Sequence, residues 1–188
     1  MHISGAGANG MLAALERAGM RPGLITRTLG RMGQQIGEYV LSYALADAQK
    51  HAVRRQLQRA RDWNVAAGTP ELVSDWTALI LGTGGIGSGV AQVLAAVGID
   101  CIGASRSGTA REPFSRVVAM DALPDLPEVD LVVGALPLTE ATQGRIDARV
   151  FDRVEGALFV NVGRGATADI EAVKAALASG RLRRAVLD

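Results

Sequence analysis

The chain has 188 residues, of which 20 are basic and 19 acidic, so its formal net charge is +1. This balance predicts no binding of nucleic acid or of an anionic membrane, and no apolar run approaches the ~18 residues of a membrane span. The single cysteine, Cys101, excludes an internal disulfide and favours a reducing compartment. Because the N-terminus also lacks the features of a signal peptide, we expect a cytoplasmic protein. The length predicts one domain plus an appendage.

The first 32 residues open with a glycine-rich stretch, Gly5-Ala6-Gly7-Ala8-Asn9-Gly10. Small residues in this density are typical of a loop that faces a ligand or moves. A short helix is predicted over Met11–Ala18. We expect residues 1–32 to form a unit separate from the rest of the chain.

A single long helix is predicted from Gly33 to about Arg61, with Val40 and Ala44 on its apolar side. Its later part is basic, which is typical of a solvated helix face. Tyr39 and Tyr43 form an aromatic pair one turn apart, so residues 33–75 are a plausible dimerisation arm of a homodimer.

Residues 76–188 alternate strand and helix signals at short, regular intervals. Near-continuous apolar strands joined by crossovers predict an α/β fold with a doubly wound parallel sheet of the Rossmann type, covered on both faces. An amphipathic helix is predicted over Asp169–Ser179, with Ile170, Val173 and Leu177 on one face. The six predicted strands are Thr77–Leu81, Asp100–Ser105, Arg116–Met120, Val129–Ala135, Ala157–Val162 and Arg184–Leu187.

A glycine-spaced turn, Gly82-Thr83-Gly84-Gly85-Ile86-Gly87, joins the first of these strands to a helix that Gly98 ends. Gly82 permits a tight turn, Gly84 lets the backbone approach a pyrophosphate, and Gly87 lets helix and strand pack closely. The free N–H groups at the positive end of the helix would bind the phosphates. The turn therefore predicts dinucleotide binding.

The end of the second strand indicates which dinucleotide binds. NAD-specific folds usually place Asp or Glu there, ~20 residues past the glycines, to accept from the ribose 2′-hydroxyl. This chain has Ser105-Arg106-Ser107 instead. A guanidinium flanked by two hydroxyls suits a 2′-phosphate, so NADP(H) is favoured and NAD(H) stays possible.

Two further strand ends carry candidate site residues. The fourth strand leads into a Leu136-Pro137 step followed by Thr139 and Thr142, whose hydroxyls are suited to capping the next helix. The fifth strand leads into Asn161-Val162-Gly163-Arg164-Gly165, where an arginine between two glycines is suited to holding a substrate carboxylate at two points.

These motifs together resemble the D-isomer-specific 2-hydroxyacid dehydrogenases, and Ser105–Ser107 resembles their NADPH-preferring glyoxylate and hydroxypyruvate reductases. The resemblance implies that Arg164 is catalytic, binding the carboxylate of a small 2-oxoacid and polarising its carbonyl. The resemblance also implies that residues 1–32 are the remnant of a substrate-binding domain, so that the Rossmann sheet carries a partial second domain. In it, the amides of Gly7 and Ala8 would meet the substrate. The resemblance implies further cofactor contacts from Leu136, Pro137, Thr142, Val162 and Asp188, the last to the nicotinamide carboxamide; no metal is implied.

The family's general acid is a His oriented by a Glu, both beyond the position that matches Asp188, where this sequence ends. His2 and His51 do not occupy that position. We therefore expect a chain truncated at both ends, with impaired catalysis. A non-catalytic NADP-binding or dimerisation module, and an NAD-dependent phosphoglycerate-type dehydrogenase, remain alternatives.

Overall fold

A computed structural model describes residues 2–3, 9–21, 23–28, 30–123, 126 and 128–188 of the chain. Within these ranges, α-helices predominate before residue 75, and the strands of a larger sheet follow with helices among them. The elements in chain order are β1 (His2–Ile3), α1 (Asn9–Arg17), β2 (Thr26–Arg27), α2 (Met32–Ala48), α3 (His51–Ala60), β3 (Thr77–Leu81), α4 (Gly85–Ala95), β4 (Asp100–Ser105), β5 (Arg116–Ala119), β6 (Leu131–Gly134), α5 (Ala148–Phe151), β7 (Ala157–Asn161), α6 (Ile170–Ser179) and β8 (Leu182–Leu187).

The larger sheet has six parallel strands in the order β5-β4-β3-β6-β7-β8, and β1 pairs with β2 in a separate parallel sheet. The chain moves outward from β3 to β5, returns to the centre, and moves outward again from β6 to β8. The neighbours β3 and β6 therefore form the switch point of a doubly wound sheet. This confirms the predicted fold, although β8 begins at Leu182 rather than Arg184.

Both faces of the sheet are covered by helices. Ala78 and Ile80 of β3 lie in a core cluster with residues of α2 and α4, whereas Leu79 and Leu81 lie in a second cluster with residues of α5 and α6. All four side chains are fully buried. Burial on both faces explains why this strand reads as a continuous apolar run rather than as an alternating one.

α2 packs across the start of α4 with the two backbones in direct contact. A Cβ on Gly33 would lie 2.9 Å from the carbonyl oxygen of Gly85, and one on Gly89 would lie 2.6 Å from the Cα of Gly33. A Cβ on Gly37 would lie 2.7 Å from a methyl carbon of Val93. Larger residues here would force the helices apart, so these glycines seat α2 on the helix that follows the glycine turn.

The prediction of one long helix from Gly33 to about Arg61 is wrong, because the chain forms two helices there. α2 ends at Ala48, and Lys50 adopts a left-handed conformation (φ 53°) before α3 begins. The N–H of Glu71 donates to the carbonyl oxygen of Ala48 (3.0 Å), and its carboxylate pairs with the Lys50 ammonium. The returning chain thus satisfies the end of α2 through tertiary bonds.

α6 has the predicted extent but not the predicted buried face. Val173 is buried together with Ala176, whereas Ile170 and Leu177 are 44% and 40% exposed. Of the predicted apolar stripe, only the central residue, Val173, therefore reaches the core.

Candidate cofactor and substrate site

Two glycines of the 82–87 turn are required by the chain's own packing. Gly82 has a φ of 108°, and a Cβ there would lie 2.8 Å from the carbonyl oxygen of Ala135. A Cβ on Gly87 would lie 1.8 Å from the carbonyl oxygen of Gly82. Only glycine at these positions lets α4 start so close to the end of β3 and to the segment after β6.

The chain's own packing gives no reason for the other two glycines, Gly84 and Gly85. Both are exposed, and a Cβ on either would meet nothing within 4 Å. The backbone of Gly84 (φ −74°, ψ −169°) is one that any residue adopts. An open path therefore leads to the backbone at the point where α4 begins.

The N-terminus of α4 is free to bind an anion. Gly84 is the N-cap residue, no side chain caps the helix, and its first turn has no acidic residue. The first N–H groups of a helix lack intrahelical partners, and Thr83 and Ile86 are their neighbours in the chain. These donors at the positive helix end, with Gly84 and Gly85 leaving room, fit the pyrophosphate of a dinucleotide.

The loop after β4 carries the predicted 2′-phosphate contacts. Pairing of β4 with β3 places it beside the glycine turn. Ser105 Oγ accepts from the N–H of Gly108 (3.1 Å), and Ser107 Oγ lies 2.8 Å from Thr109 Oγ1. Arg106 is exposed, and its guanidinium has no hydrogen bond or ion pair to any residue that the structure describes. The loop is thus held by its own hydroxyls and presents one unpaired cation.

The segment after β6 turns back on itself. Leu136 is buried and Pro137 is exposed. The prediction that Thr139 and Thr142 cap the next helix is wrong, because residues 140–144 form turns and Asp147 caps α5. Instead, Thr142 Oγ1 accepts from the N–H of Thr139 (2.8 Å) and donates to the carbonyl oxygen of Pro137. These bonds fix the Pro137 segment at the switch point, beside the glycine turn.

The segment after β7 presents the second candidate cation. Val162 is buried and Arg164 is exposed. The Nη1 of Arg164 donates to the carbonyl oxygen of Gly163 (3.0 Å), and within the described ranges no carboxylate pairs with the guanidinium. Arg164 can therefore take a carboxylate from outside the chain.

Asp188 lies next to Arg164's segment at the same edge of the sheet. Its N–H donates to the carbonyl oxygen of Asn161 (3.3 Å). A hydrogen bond with Tyr43, then burial, then the charges of Tyr43 and of Asp188 raise the pKa of Tyr39, which lies in α2, to about 12. The rings of Tyr39 and Tyr43 meet edge to face at 5.0 Å. The predicted substrate and nicotinamide contacts thus lie on adjacent strands, with α2 beside them.

The remaining predicted positions are the substrate-facing glycine loop and the two histidines. Gly7 and Ala8 lie outside the described residues. The ring nitrogens of His2 lie 2.9 and 3.0 Å from the hydroxyl oxygens of Thr26 and Thr28, and His51 is exposed at the start of α3.

The sequence analysis did not single out Thr167, which lies fully buried just beyond Arg164. Its sequence neighbours Ala166 and Ala168 give no sign that this residue is buried. Where the structure describes the chain, it brings no three His, Cys, Asp or Glu side chains together as a metal site. Nor does any helix within the described ranges have the length and apolarity needed to cross a membrane.

A doubly wound sheet with an uncapped helix and a glycine turn at its switch point defines a dinucleotide-binding α/β domain. The family profile described as "D-isomer specific 2-hydroxyacid dehydrogenase, NAD binding domain" matches residues 41–188. The chain therefore belongs to the D-isomer specific 2-hydroxyacid dehydrogenase family, which confirms the resemblance seen in its sequence.

Relatives of known sequence span more than this chain does. It is 43% identical to an uncharacterised protein of Streptomyces coelicolor, over 100% of this chain and 66% of that protein. It is 32% identical to glyoxylate/hydroxypyruvate reductase A of Serratia proteamaculans, over 84% of this chain and 50% of the reductase. The chain thus covers between half and two thirds of the length of these relatives.

Solved structures give the same family. A D-isomer specific 2-hydroxyacid dehydrogenase from Xanthobacter autotrophicus, in complex with NADPH and MES, superposes with a TM-score of 0.85 at 32% identity. This chain is covered completely, and 59% of that chain is covered. An NADPH-dependent glyoxylate/hydroxypyruvate reductase from Sinorhizobium meliloti, in complex with NADP and sulfate, gives 0.85 at 28% identity, with 100% and 60% covered.

Proposed function

We propose that the chain is the cofactor-binding part of an NADP(H)-dependent oxidoreductase that reduces a small 2-oxoacid, such as glyoxylate or hydroxypyruvate, to the 2-hydroxyacid. One observation carries the proposal: among the described residues, Arg106 and Arg164 are exposed guanidinium groups without carboxylate partners, on either side of the glycine turn at one sheet edge. Strand order separates β4 from β7 by three strand spacings, roughly 14 Å. A dinucleotide lying across this edge would have one cation near each end.

The choice of NADP over NAD rests on the end of β4. Arg106 follows the strand directly, between two serines, and no carboxylate stands there to accept from a ribose 2′-hydroxyl. A guanidinium in this place attracts a 2′-phosphate through charge-assisted hydrogen bonds. The Xanthobacter and Sinorhizobium relatives were solved with NADPH and NADP, respectively, which supports the same choice.

We assign roles to the chain's own residues from its resemblance to the family, and the position of these residues at one sheet edge supports the assignment. A bound nicotinamide supplies the hydride. Arg164 would hold the carboxylate of the oxoacid and polarise its carbonyl, and the first N–H groups of α4 would hold the pyrophosphate. Asp188 would face the nicotinamide amide. Within the described residues we assign no donor for the proton that the forming alkoxide needs.

We also propose that the protein is a homodimer in which α3 and the loop after it meet a second copy. α3 has no buried residue in the single chain, and Trp63 is 92% exposed. Exposed tryptophan is rare on free surfaces and common at the centre of interfaces. Replacing Trp63 with Lys should give monomers by size-exclusion chromatography with light scattering, whereas Leu177→Lys on α6 should not. A wild-type monomer contradicts the proposal.

Cofactor choice is tested by binding. Titration calorimetry with NADPH and NADH should show tighter binding of NADPH, and Arg106→Ala should weaken it by about 10- to 100-fold, since a hydrogen bond to a charged group contributes ~1.5–3 kcal/mol. NADH binding should change little. Arg111→Ala, an exposed arginine in the same loop, is the matched control. Tighter binding of NADH would favour a phosphoglycerate-type enzyme.

Reaction class is tested by turnover of the protein in the longest form that its gene encodes. NADPH oxidation should depend on added glyoxylate or hydroxypyruvate, and Arg164→Ala should abolish most of it while leaving NADPH affinity unchanged. NADPH binding without reduction of any 2-oxoacid would contradict the enzyme and favour a binding module.

A further inference from the structure

The buried polar side chains in the described part of the chain are Asn161 and Thr167, which are 2% and 0% exposed. Both bond to one acceptor, the carbonyl oxygen of Arg164. Thr167 Oγ1 donates to it at 2.7 Å, the N–H of Thr167 at 2.8 Å, and Asn161 Nδ2 at 3.4 Å. Three donors thus converge on the backbone of the residue that presents the exposed guanidinium.

Packing alone does not explain polar residues at these positions. Burying a hydroxyl or an amide is unfavourable unless it is hydrogen-bonded, and an apolar residue of the same shape fills the space at no such cost. The hydrogen bonds themselves, rather than the filling of space, therefore account for polar residues at these two positions. The bonds act on Arg164, whose carbonyl oxygen points inward while its side chain is exposed.

The geometry of Arg164 shows how these bonds act. The residue is extended (φ −126°, ψ 137°) and directly precedes the 3-10 turn Gly165–Thr167. Its carbonyl carbon and its Cβ share one Cα, so fixing the carbonyl direction also fixes the direction in which the side chain leaves the backbone. The remaining freedom lies in the side-chain torsions, of which the Nη1 bond to Gly163 restricts part.

Asn161 also connects this segment to the neighbouring strand end. Its Oδ1 accepts from the N–H of Gly163 (3.2 Å) and would lie 2.7 Å from a Cβ on Gly134. A Cβ on Gly163 would lie 2.7 Å from the carbonyl oxygen of Leu136. The Asn161 amide therefore fills the space between the ends of β6 and β7, and it holds the two site segments at a fixed separation.

We propose that Asn161 and Thr167 are positioning residues that aim Arg164 at the substrate carboxylate. The inference rests on the proposed function for its substrate, but the hydrogen bonds that carry it belong to the chain itself. Neither residue touches the substrate; each acts through the backbone of Arg164. Effective reaction geometry is sensitive to shifts of this kind, because a displacement of ~1 Å in a positioning group lowers rates by as much as ~100-fold.

The kinetic test is a double-mutant cycle between Thr167 and Arg164. Thr167→Val keeps the shape of the side chain and removes only its donor, and Thr167→Ser keeps the donor. We expect Thr167→Val to lower kcat/KM for glyoxylate by about 5- to 20-fold, with unchanged NADPH affinity, and Thr167→Ser to keep most of the activity. In the Arg164→Ala background, Thr167→Val should have no further effect. An equal loss in both backgrounds overturns the proposal.

A second readout needs no turnover. The backbone order parameter of Arg164, measured by ¹⁵N relaxation, should be about 0.85 in the wild type and in Thr167→Ser, and should fall below ~0.6 in Thr167→Val. An unchanged order parameter in Thr167→Val overturns the positioning role. Failure of the wild type to reduce any 2-oxoacid contradicts the proposed function instead, and the relaxation data then decide the positioning role alone.

Discussion

Replacing Gly84 with alanine tests whether this glycine is needed for folding stability or for cofactor binding. The new Cβ would meet no atom within 4 Å, and the backbone of Gly84 is one that alanine adopts freely. Loss of glycine from the N-cap lowers the free energy of unfolding by about 0.5 kcal/mol. The reduced conformational freedom of the unfolded chain raises it by roughly 0.4–1 kcal/mol. The two effects nearly cancel, so we expect the free energy of unfolding to stay within ~0.5 kcal/mol of the wild type.

NADPH affinity should respond very differently. If a pyrophosphate lies against the N-terminus of α4, the added methyl group occupies its space, and the phosphates or the helix must move. We expect a loss of at least ~10-fold in affinity, equivalent to ~1.4 kcal/mol, measured by the quenching of tryptophan fluorescence or by calorimetry. Affinity within twofold of the wild type, together with an unchanged unfolding curve, would refute the placement of the pyrophosphate.

Gly87→Ala supplies the opposite pattern as a control. Its Cβ would lie 1.8 Å from the Gly82 carbonyl oxygen, so α4 must shift by more than an ångström or the strand end must distort. Such overpacking lowers the free energy of unfolding by ~1–3 kcal/mol or more. The pair of variants therefore distinguishes a ligand effect from a folding effect at neighbouring glycines.

Three further predictions concern stability and reactivity. Gly37→Ala should lower the free energy of unfolding by ~1–3 kcal/mol in urea titrations, because its Cβ lies 2.7 Å from Val93, whereas Gly10→Ala, with open space, should not. Asp169→Ala should remove the α6 cap and cost ~1 kcal/mol, and Asp169→Asn should retain most of it; equal losses would argue against the cap. Burial raises the pKa of Cys101 to about 12 from 9.0, so a thiol reagent at pH 8 should label only unfolded protein. Stability should also fall as pH rises above 9, because the unfolded thiol then ionises while the folded thiol stays protonated. A Cys101→Ala variant should have a smaller slope, and the part that remains is the contribution of groups such as Tyr39.

The sheet was predictable because burial leaves a local trace. Strands covered on both faces are apolar throughout, as in Ala78–Leu81, and the glycine turn between a strand and a helix identifies the order of elements around it. The predicted contacts at Arg106 and Arg164 also follow from chain position, since parallel strands end at one edge. Their exposure in the structure agrees with that reasoning.

Features that depend on distant segments left no such trace. The break at Lys50 is held by Glu71, and nothing local marks it, because neither glycine nor proline stands there. The bonds of Thr142 replace a helix cap with a turn that the sequence allows equally well. Thr167 acts on a backbone carbonyl group. Every residue has one, so no side-chain pattern in the sequence marks this bond.

The parallel pairing of β3 has a consequence for synthesis. Its first residue, Thr77, donates its N–H to the carboxylate of Asp130, 53 residues later in the chain (2.9 Å). A parallel pair cannot close through a short hairpin, so one side of β3 stays unpaired until β6 has left the ribosome. At ~5–20 residues per second this takes roughly 3–10 s. During that interval an apolar strand that is buried in the folded protein has an open edge in the nascent chain, exposed to chaperones and to other chains alike.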